Sequence, residues 1–263
     1  MYKLRDWISF DNIDFLFLCR NEHPAAISYI ESNMDKLQDI HWKWLSYNSS
    51  AIHLLEKNMD KINWINLSSN SGAIHLLEKN PTKINNLFLF ENKNAIHLIK
   101  KKFGKNFEMV NASYFISISL NENAIDIIEK NLDRIYWRYL SKNPNAIHLL
   151  EKNPDKIDWE GLSSNKNAIS FLEQNPDKID WRMLSRNESA IHLLIKNTQK
   201  IDWNQLSANP SIFEYDYAAM KEARAPLLEE LVSVVFHPRN IPCFNALGLE
   251  DFDYDPDGKI RIK

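Results

Sequence analysis

Five histidines recur at one place in a repeating pattern. His53, His75, His97, His148 and His192 each stand two residues after the alanine of an A-I-H-L motif. Imidazoles on neighbouring elements are the arrangement that binds zinc or relays protons. Two features argue against that chemistry. Other copies carry Ser28, Asp126 or Ser170 at this position, so the row is interrupted. On a helix the position also lies opposite the apolar residues, beside Glu151 and Lys152. Helices packed ~8–10 Å apart are, besides, too widely spaced for ligand bonds of about 2 Å unless the side chains converge. The histidines therefore read as surface groups open to a partner, and no metal, cofactor or catalytic residue is assigned.

The remaining chemistry-bearing residues give the same answer. The chain has no G-x-S-x-G, H-E-x-x-H, phosphate-loop or CxxC signature. Its five glycines speak against Gly-rich phosphate cradles. Trp42, Trp64, Trp137, Trp159, Trp181 and Trp203 could be taken for a base-stacking ladder. Each, however, is followed three residues later by a Leu, which makes them core residues of a short helix. Lys100, Lys101, Lys102 and Lys105 form the densest basic cluster, read as the solvated end of an extended helix stopped by Gly104. The positions that vary after each Trp, among them Arg182 and Gln205, join the five histidines as candidate partner contacts.

The elements that must position these groups repeat every 22 residues. Asn143 to Asn165 reads NPNAIHLLEKNPDKIDWEGLSSN, and close copies begin at Asn165 and Asn187. The alanine position runs Ala26, Ala51, Ala73, Ala95, Ala124, Ala146, Ala168, Ala190 and Ile212, with steps of 22 except for one of 25 and one of 29. A fixed period of this length marks a stacked-repeat architecture. Asn143 caps free amides, Pro144 suits the first helical position, and Ala146, Ile147, Leu149 and Leu150 form one apolar stripe. Asp158 caps a second short helix carrying Trp159 and Leu162. A leucine-rich repeat is the structural alternative, but it would place Glu160 and Ile157 on core leucine positions. The expected fold is all-α: an α-solenoid of stacked short helix pairs forming a rod or arc of roughly 80 Å.

Residues 1–25 are expected to be an N-terminal cap containing a degenerate repeat, with Phe15 in the Trp position and Cys19 in that of Ser163 as a small packed side chain. Residues 26–211 form the array, with an insertion near 100–112. Residues 212–263 form a C-terminal cap: a long helix over 216–236, kinked or split at Pro226, then a frayed acidic tail. A single unit buries too little to fold alone, so neighbours must supply its stability.

A net charge of −3 provides no field for nucleic acid or anionic lipid. No segment reads as a membrane span or a secretory leader. Two cysteines far apart, Cys19 and Cys243, fit a reducing compartment.

The unit NPxAIHLLEKNPDKIDWxxLSxN, followed by YDYxxMK…EEL…FHPRNI between Tyr215 and Ile241, resembles tandem-repeat proteins encoded by large DNA viruses of amoebae and algae. The likeness covers about residues 14 to 245. It departs at Asn86, which lacks the tryptophan, at the insertion, and at Ser170. It implies a repeat fold and a viral origin, in host cytoplasm or virion and not secreted, and carries over no catalytic residue. The expectation is a non-enzymatic scaffold that binds a viral or host protein on its repeat surface. The alternative is a nucleic-acid-binding helical repeat, for which the chain lacks a basic groove.

Overall fold

The computed structural model describes residues 1–103, 111–235, 253–254 and 260–261. These fall into two units, Leu4–Glu214 and a second made of Met1–Lys3 with Tyr215–Lys263.

The larger unit consists of the repeats. In the copy beginning at Asn143, a 3-10 turn over Pro144–Ala146 runs into helix Ile147–Glu151, and a second 3-10 turn, Pro154–Lys156, leads to helix Trp159–Ser163. The sequence determines each boundary. Asn143 accepts the amide of Asn145, Pro144 needs no amide partner, and Asp158 accepts the amide of Gly161. Asn153 ends the first helix by donating its side-chain amide back to the Leu149 carbonyl at 2.9 Å. Leu149, Leu150 and Leu162 are buried, each stabilising the fold by about 1.5–3 kcal/mol. Ala146 is fully buried, as are Ala51, Ala73, Ala95, Ala168 and Ala190, where only a methyl group fits between stacked units.

Two columns of polar side chains stitch the units together. The side-chain amide of Asn165 donates to the carbonyls of Ser141 and Asn143, at 3.0 and 2.9 Å. Asn48, Asn70, Asn92, Asn121, Asn143, Asn187 and Asn209 make the same pair of bonds to the preceding unit. Beside them, each Ser hydroxyl donates to the carbonyl four residues back and accepts the capping-residue amide of the next unit. Ser163 thus bonds the Trp159 carbonyl and the Asp180 amide. These buried groups are satisfied only when units are stacked.

The stack closes on itself. Asn21, in the first copy, donates to the carbonyls of Ser207 and Asn209 in the last, and the amide of Asp14 reaches the Ser207 hydroxyl at 2.9 Å. Helix Phe15–Leu18 packs against both Trp203–Ser207 and Asp39–Tyr47, so the second helices form an unbroken circle. The Arg5 amide and guanidinium add bonds to the carbonyls of Ile212 and Ser211, and Arg5 pairs with Glu214 at 3.1 Å. The repeats are all-helical as expected, but the open rod or arc with covered ends is corrected to a ring. The degenerate copy in residues 1–25 has neighbours on both sides, and the face of the last repeat is filled by the first. Cys19 is fully buried in the serine position, as expected.

In the smaller unit, Tyr217–Val235 is one helix that continues through Pro226 rather than splitting there. The tail is not wholly frayed: Asp253–Tyr254 and Ile260–Arg261 pair antiparallel, Asp253 opposite Arg261.

Candidate functional site

The histidine row lies on the outside of the first helices, roughly half-exposed, and every member has the same partner. Nε2 of His53, His75, His97, His148 and His192 meets a carboxylate oxygen of Glu31, Glu56, Glu78, Glu129 and Glu173 in the unit before, at 2.8 to 3.3 Å. Protonated imidazoles would make these ion pairs. Neighbouring imidazoles are therefore engaged with carboxylates rather than converging on a shared centre. Among the described residues no group of three His, Cys, Asp or Glu side chains could hold a metal ion.

Arg182 belongs to a different row, on the second helices. Its guanidinium and that of Arg138 take the two oxygens of Glu160 at 3.1 and 3.0 Å, linking three consecutive units. Gln205 occupies the following unit, half-buried, with its backbone amide capped by Asp202. No described contact joins this row to the histidines.

The tryptophans are less interior than their Leu spacing suggests. Trp42 is buried; Trp64, Trp137, Trp159, Trp181 and Trp203 are only half-buried, packed against the core by one side. Four of these five carry a cation over the other side. Lys83, Lys156, Lys178 and Lys200 place their ammonium groups over Trp64, Trp137, Trp159 and Trp181 at 4.4 to 4.8 Å from the ring centres.

Lys100, Lys101 and Lys102 are exposed at the end of helix Ile96–Phe103, and Lys102 bonds the Asn86 side chain. Lys105 and Gly104 lie outside the described residues. Where the unit carries Asn86 instead of a tryptophan, Leu77, Ile84, Leu89 and Leu98 line a cavity of about 440 Å³ with Lys101 and Lys102 at its edge.

Sequence reasoning missed the central opening. Two adjoining cavities, of about 250 and 290 Å³, are lined by side chains from units as far apart as Arg20, Glu122 and Arg186. Only the middle of a circle brings such residues together. Two positions in each unit face it, the residues just before and just after the buried asparagine. The residue before contributes Arg20, Tyr47, Glu91, Lys142 and Arg186; the residue after contributes Glu22, Lys93, Glu122, Lys166 and Glu188. The one available signal was that these two places change charge freely while the Asn between them never changes.

The two levels differ electrostatically. After the asparagine, Lys93 pairs with Glu122 at 3.4 Å, Lys166 with Glu188 at 3.2 Å, and Glu22 accepts from the Ser49 hydroxyl. Before it, the groups are reached by water yet enclosed by protein. Burial, reinforced by Arg186, holds the Arg20 guanidinium down at about 10. Burial likewise lowers Arg186 and Lys142. It raises the Tyr47 hydroxyl, which feels Glu91 as well, and pushes the Glu91 carboxyl up to about 7 against the Ser117 hydrogen bond.

The fold and these surfaces define a closed all-helical repeat ring with a polar opening. No family model, no curated protein and no solved structure matches this chain. Among the described residues no helix is long and apolar enough to cross a membrane.

Proposed function

We propose that the repeat ring is a non-enzymatic interaction scaffold that binds a protein partner on its outer face. The observation that supports this best is the Arg138–Glu160–Arg182 row, whose two arginines are exposed and held in place by one carboxylate. Side chains fixed before binding lose little freedom on contact, and Arg is enriched where partners meet. The histidine–glutamate column offers a second surface of the same kind, repeated at one spacing along the first helices. A partner presenting acidic side chains beside apolar ones would fit both the arginines and the lysine-covered indoles. The resemblance to viral repeat proteins makes that partner a viral or host protein, met in host cytoplasm or in the virion.

The test is proximity cross-linking in infected cells with the wild-type protein and an Arg138→Ala/Arg182→Ala variant. The reading requires cross-links that map to the outer rows and a captured protein whose yield falls at least tenfold in the variant. Equal capture by wild type and variant would overturn it.

A further inference from the structure

We propose that the central opening binds a small free oxyanion of the phosphate class, held by Arg20, Lys142 and Arg186 with the Tyr47 hydroxyl. This goes beyond the outer-surface function and does not depend on it.

Lys142 and Arg186 lie two units apart, as do Arg186 and Arg20 across the ring closure, and all three line the same cavity of about 250 Å³. They repel one another: Arg186 disfavours the charged forms of both Arg20 and Lys142. Among the described residues, none of the three has a carboxylate within ion-pair distance. The nearby acids are committed elsewhere, Glu22 to Ser49, Glu122 to Lys93 and Glu188 to Lys166. Arg20 stacks its guanidinium on Trp44 at 4.4 Å, and its buried Nε has no hydrogen-bond partner.

Glu22 favours the charged Arg186, and Glu160 and Asp158 the charged Lys142, but none is in direct contact. Enclosed cations without a directly paired carboxylate are costly, and a guanidinium is matched to the oxygens of phosphate. An oxyanion in the cavity would relieve the repulsion between Arg20 and Arg186 and accept from Tyr47. The opening is small and flanked by paired charges, which favours a compact free anion over a nucleic-acid strand.

The experiment is calorimetric titration of the full chain with inorganic pyrophosphate and with inorganic phosphate, against sodium chloride at matched ionic strength, followed by thermal unfolding. We expect saturable one-to-one binding of at least one of the two phosphate species, with a rise in Tm. Arg186→Met and Arg20→Met should each weaken binding at least tenfold. Ligand-free Arg186→Met should melt at or above the wild type, because removing an uncompensated cation relieves strain. No saturable binding, unchanged affinity in both variants, or a lower Tm for ligand-free Arg186→Met would each overturn the proposal. Lys142→Met supplies the same comparison through a side chain that is less enclosed.

Discussion

Asn21 and Asn209 lie 188 residues apart in the chain, and the side-chain amide of the first donates to the carbonyl of the second at 2.9 Å. With the companion bond to Ser207 at 3.1 Å, this repeats the junction found between consecutive units. Asn165→Ala removes both side-chain N–H donors. It takes from the Ser141 carbonyl its inter-unit partner, while the Asn143 carbonyl keeps the Ala146 amide. The loss costs about 1–3 kcal/mol. In an open stack the same change in the first copy would be cheap, since an end unit has one neighbour. In the ring there is no end. Asn21→Ala should therefore lower unfolding free energy by the same amount as Asn165→Ala, read from urea denaturation of both variants. A cost at Asn21 near zero would mean that the circle is not closed.

Closure also decides the chemistry of Cys19. Its thiol is fully buried in the joining unit, bonded to the Phe15 carbonyl at 3.4 Å, and pushed up to about 12, chiefly by burial. Only the thiolate reacts. In a Cys243→Ser background, the native protein at pH 8 should resist a thiol reagent until the ring opens, and Asn21→Ala should accelerate labelling. Immediate stoichiometric labelling of the folded wild-type background would contradict this placement.

How much of this was readable in the residues follows from what periodicity encodes. Ala146, Leu149, Leu150 and Leu162 gave the helices and their buried sides, because apolar spacing reports a local geometry. Asn143 and Asp158 gave the caps for the same reason. Curvature is a different kind of quantity. It accumulates from small rotations at each junction, and nothing in one copy says that a full turn is completed after nine of them. The opening followed the curvature into obscurity: Arg20 and Arg186 look like scattered surface charges until the ends meet. The indoles were misjudged because an i,i+3 pairing with Leu162 locates one side of Trp159, whereas Lys178 arrives from the neighbouring unit.

The interior and exterior columns should differ sharply in energetic weight. Ser163 satisfies the part-buried Asp180 amide at 3.0 Å and binds the Trp159 carbonyl at 2.8 Å. Ser163→Ala orphans that amide and should cost about 1–3 kcal/mol. The His75–Glu56 pair, at 2.8 Å, is nearly half-exposed at both ends. Breaking it with His75→Ala should cost roughly 0–1 kcal/mol. Denaturant midpoints of the two variants provide the comparison, and a larger loss for His75→Ala than for Ser163→Ala would reverse the assignment of inside and outside.

Glu91 makes the ring sensitive to pH from within. Burial raises its carboxyl from the ordinary 4.5 to about 7, outweighing the Ser117 hydrogen bond that favours the charged form. Between those two values the folded chain keeps a proton that the unfolded chain has released. Stability from this group is thus complete below about pH 4.5 and is lost as pH rises through 7. Glu91→Gln keeps a neutral side chain of the same shape and has no proton to lose. The difference in unfolding free energy, variant minus wild type, should therefore increase from pH 5 to pH 8, and taking the difference cancels groups common to both proteins. A difference that stays flat across that interval would show that Glu91 is solvated in the opening rather than enclosed.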